Sequence, residues 1–428
     1  MKLSLGCIAD DFTGATDLAN NLVRAGMRVV QTIGVPRKPL SADVDAVVIA
    51  LKTRTVAPDQ AVRQSLQAMT WLQTQGAKQL YFKYCSTFDS WYQGEVRGNI
   101  GPVTEALMSV LNTDFTIATP AFPDNGRTVF KGHLFVGDVL LSDSGMKDHP
   151  LTPMRDANLV RVMQAQCHSK VGLIDHRTVA QGAEAVTQAI AALKAQGVRI
   201  AIVDAVSNDD LMRVGPAWRD LPLLTAGSGV AIALPANFGL QANERASQLP
   251  SASGRQAIVC GSCSQATLGQ VAHFQALGLP AWPIDSAQVM NEDQAKQVIQ
   301  AALQFATGHA DRPVLIYSSA SADAVRAVQQ QHGVERAGHQ IEQALAAIAC
   351  GLVEQGVRQL IVAGGETSGA CVQALGIEQM QIGAQIDPGV PWCHAQSPLS
   401  RAGLHLALKS GNFGGPDFFS RSFALLTP

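Results

Sequence analysis

Along this chain, short unbroken apolar runs alternate with longer stretches whose apolar positions recur at helical spacing. LSLGCI, MRVVQTI, DAVVIAL, QLYFKY, FTIAT, VGLID and RIAIVDAV are such runs, with helical stretches such as Ala61–Thr74 and Ala183–Gln196 between several of them. Runs of this kind suit strands covered on both faces, and their alternation with helices predicts βαβ units around a mainly parallel sheet. ATDLANNLVRAG reads as a helix that stops at Gly26, a residue able to take the left-handed conformation that closes helices. The periodicity lapses at 246–256, ASQLPSASGRQ. It restarts with QAIVCGS, PVLIYSS, a long helix near Glu342–Glu354, RQLIVAGGETSGA and LHLALKSGNFGGPDFF. The pattern therefore predicts two α/β domains with mainly parallel sheets, residues 1–248 and 256–428.

Composition narrows the class. The 428 residues exceed what one core supports, and 47% hydrophobic with 15% charged residues exclude disordered and fibrous chains in favour of a compact enzyme. A net charge of −2 without a basic run leaves no footprint for nucleic acid or an anionic membrane, so a small-molecule partner is expected. The first apolar segment is cut short by Asp10 and no run reaches membrane-spanning length, which reads as a cytoplasmic protein. Eight scattered cysteines read as reduced core thiols. Cys260 and Cys263 have CxxC spacing but no second pair or histidines at zinc-site distance.

Ligands of open α/β sheets collect beyond the carboxyl ends of the strands. The stretch ADDFTGATD, residues 9–17, lies at such an end and holds three carboxylates, more than a helix cap uses. Asp10 or Asp11 is the candidate catalytic acid, with Thr13 and Gly14 beside them, while Asp17 reads as a structural first-turn acid. Arg54 in KTR and Lys83 in KYCSTFDS place cations past two further strands, suited either to gripping a sugar acid or to capping a solvated end. A desolvated Lys83 also suits a Schiff base of an aldolase or dehydratase. The loop Pro120–Arg127 offers Asn125 and Arg127, as ligand contacts or as part of a rigid turn. In the second half, three glycine turns follow strands: Gly261–Ser264 with Ser262 and Ser264, then Gly364, Gly365, Glu366 and Thr367, then Lys409 to Gly411. Free amides at helix starts make such turns phosphate cradles, although each is also compatible with an ordinary capped turn. No GxxxxGK[ST], GxGxxG, protein-kinase set, HExxH or GxSxG occurs.

Taken together, IADDFTGATD, LKTR, KYCSTFDS, GNIGPV, PAFPDNGRTVFKGHLFVGDVLL, HPLTPMRD, GSCS, GGETSGA and LKSGNFGGPDFF resemble the four-carbon acid sugar kinase family over nearly the whole chain. The resemblance implies a sugar-acid-binding N-terminal domain, an ATP-binding C-terminal domain and an active site in the interdomain cleft. It implies ATP contacts at Ser262, Gly364, Gly365, Glu366, Thr367 and Gly411, and a sugar acid held by the DDFTG loop, Lys83 and the NGR loop. The activity implied is transfer of the γ-phosphoryl group to the terminal hydroxyl of a four-carbon 3-oxo acid, with Mg²⁺ expected. Asp10 or Asp11 would receive the proton, and Lys83, Arg54 and Arg127 would clamp the substrate carboxylate. Kinases of D-threonate or erythronate, and a sugar-acid sensor without catalysis, are the alternatives; a homodimer stays open. Trp91–Arg97, WYQGEVR, departs from the family pattern and puts the adjoining loop and Ser90 in question.

Overall fold

The computed structural model describes residues 3–36, 40, 44–92, 94–149, 151–319 and 330–426. The chain divides into two compact units, Met1–Ser247 and Gln248–Pro428.

In the first unit the strands are β1 (Leu5–Ala9), β2 (Val29–Ile33), β3 (Ala46–Ala50), β4 (Gln79–Lys83), β5 (Trp91–Tyr92), β6 (Val96–Arg97), β7 (Thr116–Thr119), β8 (Arg127–Phe130), β9 (His133–Val136), β10 (Val139–Leu140), β11 (Lys170–Ile174), β12 (Val198–Val203) and β13 (Leu223–Ala226). Eight of them pair in the order β11-β12-β7-β13-β4-β1-β3-β2, all parallel. β1, β3 and β4 are buried at every position, as their unbroken apolar runs require of strands covered on both faces. From β1 the chain crosses to β2 at the far position, comes back to insert β3 between them, and then places β4 on the other side of β1. The gap beyond the ends of β1 and β4 is thus a topological switch point, where a crevice opens between diverging connections. Ala9 is in register with both Ala50 and Lys83, so three loops leave the sheet at one level.

The helix Phe12–Arg24 follows β1, and Gly26, at φ 106°, closes it in a conformation a side chain would strain. The helices at Pro58–Thr74 and Ala183–Ala195 match the apolar spacing. Two features depart from the sequence reading. β8, β9 and β10 form a small antiparallel sheet within PAFPDNGRTVFKGHLFVGDVLL, and WYQGEVR folds into the β5–β6 hairpin, with Gln93 outside the described residues.

In the second unit the strands are β14 (Arg255–Cys260), β15 (Ala281–Pro283), β16 (Val314–Tyr317), β17 (Val357–Ala363), β18 (Gln379–Asp387), β19 (Val390–Ser397) and β20 (Ser400–Lys409). Their order is β15-β16-β14-β17-β20-β19-β18. The first five are parallel and β20, β19 and β18 form an antiparallel meander, a mixed end that the sequence pattern did not show. β14 sits between β16 and β17, so the ends of β14 and β17 flank a second switch point. Phe274, Trp392, Phe418 and Phe419 pack in the core beneath, and the buried Trp392 indole donates to Ser422 O at 3.0 Å. Among the described residues, no helix is long and apolar enough to cross a membrane.

Candidate active site

At the first switch point, backbone bonds tie the strand ends together: Asp10 N donates to Lys83 O at 3.1 Å, and Thr53 N donates to Asp10 O at 2.9 Å. Asn99 Nδ2 donates to the carbonyls of Thr53 and Val56, both at 2.8 Å, and so fixes the loop carrying Arg54. The Arg54 guanidinium grips Asp10 with Nε and Nη2, each at 3.0 Å, and Nη2 also donates to Asp11 Oδ1 at 2.6 Å. Its Nη1 lies 3.6 Å from Asp89 Oδ2. Lys83 Nζ stands 3.5 Å from Asp11 Oδ1. Asp11 caps the helix Phe12–Arg24, its Oδ2 accepting from Thr13 Oγ1 at 2.9 Å and from Gly14 N at 3.2 Å. Gly14 is required by the close approach, because a Cβ there would collide with Lys83 Nζ and Asp11 Oδ1.

The two adjacent acids are therefore not equivalent. Burial pushes the Asp10 carboxyl up despite Arg54, and both its oxygens are taken by that guanidinium. For Asp11, burial is outweighed by Arg54, Lys83 and the hydrogen bonds from Thr13 and Gly14, which hold it well below the usual carboxylate range. Its side chain is 25% exposed, against 7% for Asp10. Burial alone would lower Lys83, but Asp11 and Asp10 raise it, so the amine stays an ammonium. A Schiff base needs a free amine, so this environment opposes the aldolase alternative.

Arg54 is committed to Asp10 and Asp11 rather than standing free as a clamp. The loop to Arg127 turns through a short 3₁₀ helix, Pro123–Asn125, and Gly126 at φ 66°; Arg127 donates to Asn125 O, while its buried Nε has no partner. Asn125 is placed by the same turn. Ser90 is fully buried, donating to Gln166 Oε1 at 2.5 Å and accepting from Ile100 N at 3.1 Å, so the hairpin beside it leaves this serine to hold the fold. Asp17, read from the sequence as a structural first-turn acid, lies beyond the first turn of the helix Phe12–Arg24 and is buried. Burial pushes its carboxyl up to about 6, against the pull of Lys83.

The second switch point opens into a cavity of about 520 Å³. Gly261, Ser262, Gly364, Gly365, Glu366 and Thr367 form one side of it. The helix Gly365–Ala374 starts there with no side-chain cap, leaving its first amides for a ligand. Gly364 sits at φ 123°, and a Cβ on Gly261 would strike Thr367 Oγ1. Opposite, Ala337, Gly338 and Ile341 of the helix Val334–Glu354 make a small, apolar wall suited to a flat ring. Asp285, Ser286 and Glu342 complete the lining. The sequence reading missed these residues; the spacing of Ala337, Gly338 and Ile341 on one helix face is the signal that was available.

The third glycine turn supports the cavity from below rather than lining it. Ser264 caps the helix Gln265–Ala276 and donates to Gly411 O at 2.5 Å. Lys409, expected in the nucleotide site, is fully buried and donates to Thr267 Oγ1 and to the carbonyls of Ser410, Gly411 and Phe413 at 3.0–3.1 Å. Its donors are spent on the turn, and burial lowers it to about 8. Gly411 acts through close packing, since a Cβ would come within 2.6 Å of Ser262 Oγ. Cys260 and Cys263 are in no disulfide, one buried and one exposed, and among the described residues no group of three or more His, Cys, Asp or Glu could hold a metal ion.

Residues 5–234 match the family model of a sugar-binding N-terminal domain, and residues 257–419 that of a nucleotide-binding C-terminal domain. The 3-oxo-tetronate kinase of Cupriavidus necator is 56% identical over 99% of this chain and 97% of its own length, and that of Burkholderia multivorans matches equally at 56%, 99% and 97%. A solved structure of a protein from Salmonella typhimurium LT2 superposes with a TM-score of 0.89 at 44% identity, covering 99% of this chain and 100% of that one.

Proposed function

We propose that this chain, which belongs to the family joining a sugar-binding N-terminal domain to a nucleotide-binding C-terminal domain, is an ATP-dependent 3-oxo-tetronate kinase. Residues 1–248 take the sugar acid and residues 256–428 the nucleotide. The observation that carries this reading is the presence in one chain of two complementary chemistries. One sheet ends in an ionised carboxylate flanked by two cations, and the other in a glycine-walled cavity at an uncapped helix start. The relatives' shared name supplies the substrate class.

Phosphoryl transfer asks a protein mainly for positioning and charge neutralisation. The amides of Gly365–Thr367 hold nucleotide phosphate oxygens, and the apolar wall at Ala337–Ile341 takes the base. Asp11, ionised at neutral pH, orients the C4 hydroxyl and receives its proton as the new O–P bond forms and the bond to ADP breaks. Asp10 acts through Arg54, which it locks in place beside Asp11. Lys83 faces the anionic substrate. Mg²⁺ accompanying ATP would neutralise phosphate charge. Such an ion takes most of its ligands from phosphate and water, which fits a cavity whose carboxylates, Asp285, Glu342 and Glu366, are few. Use of ATP and eight cysteines outside any disulfide suit a cytoplasmic enzyme.

A coupled ADP-release assay across D- and L-threonate, erythronate and their 3-oxo forms tests the proposal, with the product phosphate located by mass spectrometry. Turnover of a 3-oxo form, phosphorylated at C4, is expected. Faster turnover of a plain tetronate would move the assignment within the family, and binding of the acids without ADP release would leave a sensor.

A further inference from the structure

One cluster of buried polar atoms is left over from the machinery just described. Asp17 Oδ1, Ser228 Oγ and Arg127 Nε are all shielded from solvent and none has a well-formed hydrogen-bond partner within the protein; the Ser228 hydroxyl lies close enough to the Asp17 carboxylate to pull it down, and Asp17 is only 7% and Ser228 only 1% exposed. Folded chains rarely leave such atoms unsatisfied, and several meeting beside a binding site point to a ligand that completes them.

Their convergence is built into the fold. Asp17 lies on the helix Phe12–Arg24 one turn beyond Gly14, on the face that Lys83 covers. Asn21 Nδ2 of that helix donates to Ser228 O at 3.0 Å. The turn carrying Ser228 packs on the lead-in to Arg127, where a Cβ on Gly227 would come within 2.7 Å of Pro120 O and one on Gly229 would strike Ala121 O. The charged groups acting on Asp17 are Lys83, Asp11 and Arg127.

The atoms left open specify a ligand. Asp17 offers an acceptor, Arg127 a donor, and Ser228 either. A hydroxyl next to a carboxylate satisfies all three, its proton going to Asp17 and its acid oxygens accepting from Arg127 and Ser228. One helical turn separates Asp17 from Gly14, roughly 5 Å along the axis, which is the length scale of a four-carbon chain. We infer that Asp17, Arg127 and Ser228 form the end of the pocket that receives the C1 carboxylate and C2 hydroxyl of the sugar acid, with Asp17 selecting for that hydroxyl. The inference rests on the sugar-acid reading of the site, which already expects the carboxylate at Arg127, and adds the C2 hydroxyl with Asp17 and Ser228 as its partners.

The test compares wild type with Asp17→Asn and Asp17→Ala on freshly generated 3-oxo-tetronate and on its 2-deoxy counterpart, 4-hydroxy-3-oxobutanoate. Loss of a hydrogen bond to a charged partner should cost wild type about 10- to 100-fold in kcat/KM on the 2-deoxy acid. Both variants should lose a similar factor on the hydroxylated acid and less on the 2-deoxy acid, so that the ratio between the two acids falls toward one, and leave the KM for ATP unchanged. Unaltered discrimination in both variants would overturn the inference. Calorimetric binding of threonate and erythronate without ATP decides the matter even if no acid is turned over. Equal affinities of wild type and variants, or a loss in the variants that is no greater for these acids than for 3,4-dihydroxybutanoate, would overturn it. Absence of turnover in wild type would count against the kinase reading alone.

Discussion

Asp11 is the residue on which the chemistry turns, because it is held well below the usual carboxylate range, is the more exposed of the adjacent acids and, unlike Asp10, is not saturated by one guanidinium. Asp11→Asn keeps the shape of the cap and removes the charge. Phosphorylation should fall by about 10²–10⁴-fold while ATP still raises the melting temperature, and a variant with wild-type turnover would remove Asp11 from the reaction. Arg54→Lys should be costly in a different way. A lysine cannot reproduce the forked grip on Asp10, and breaking a buried pair from one side costs about 3 kcal/mol, which urea unfolding would register as a lowered midpoint. Asp17 makes the opposite trade between function and stability. Its folded-state pKa, about 6, lies above the unfolded value of 3.8, so the native state holds a proton that the unfolded chain releases as pH rises through that window. The stability linked to that proton is present below about pH 4 and is lost by about pH 6, a change of about 3 kcal/mol at most. Asp17→Asn should therefore unfold at higher urea than wild type at pH 7, with the gap closing toward pH 4. A gap independent of pH would mean that Asp17 titrates normally.

At the scale of elements, the site is assembled from strand ends and helix starts, and this decides which parts of it the sequence could show. The acids and cations after β1, β3 and β4 were legible because an apolar run followed at once by charge marks the carboxyl edge of a buried sheet. Lys409 looked the same by that rule, yet its side chain turns under the loop to bind carbonyls, a choice made by the height of the third turn and not by any local pattern. Asp17 was misread because it looked like a first-turn acid, whereas the helix begins at Phe12 and carries Asp17 past its first turn, on an element against which the turn of Ser228 packs. The wall at Ala337–Ile341 was hidden because small and apolar residues on a helix look like core until a cavity is found beside them. The meander of β18, β19 and β20 and the β8–β10 sheet escaped because strands joined by tight turns, with no helix between them, do not repeat the βαβ rhythm. The helix start at Gly365 allows a clean test of the nucleotide cradle. Space is open around Gly365, with nothing within 4 Å of a Cβ built there. Gly365→Val should fold with an unchanged melting temperature yet lose most ATP affinity by blocking the amides, as isothermal calorimetry would show; unchanged affinity would place the phosphates elsewhere.

For the molecule as a whole, two compact units with separate switch points mean that two ligands should leave two separate marks. A ligand present at 100 times its Kd stabilises the state that binds it by about 2.7 kcal/mol, and that gain reaches only the amides whose opening releases the ligand. Hydrogen exchange of the full chain with ATP alone should therefore slow at 261–264 and 364–367. With the sugar acid alone, it should slow at 10–17, 83–90 and 225–229. The last segment is informative, because protection around Ser228 follows from a ligand seated against Asp17 and not from one that touches Asp11 only. Asp11→Asn should retain the ATP pattern, and Gly365→Val the sugar-acid pattern, so each variant serves as the other's control. Protection of the first set by the sugar acid alone, or of the second by ATP alone, would contradict the division of labour between the two units. An acid that protects 10–17 without 225–229 would retain the kinase assignment while shortening the pocket to its phosphoryl-accepting end.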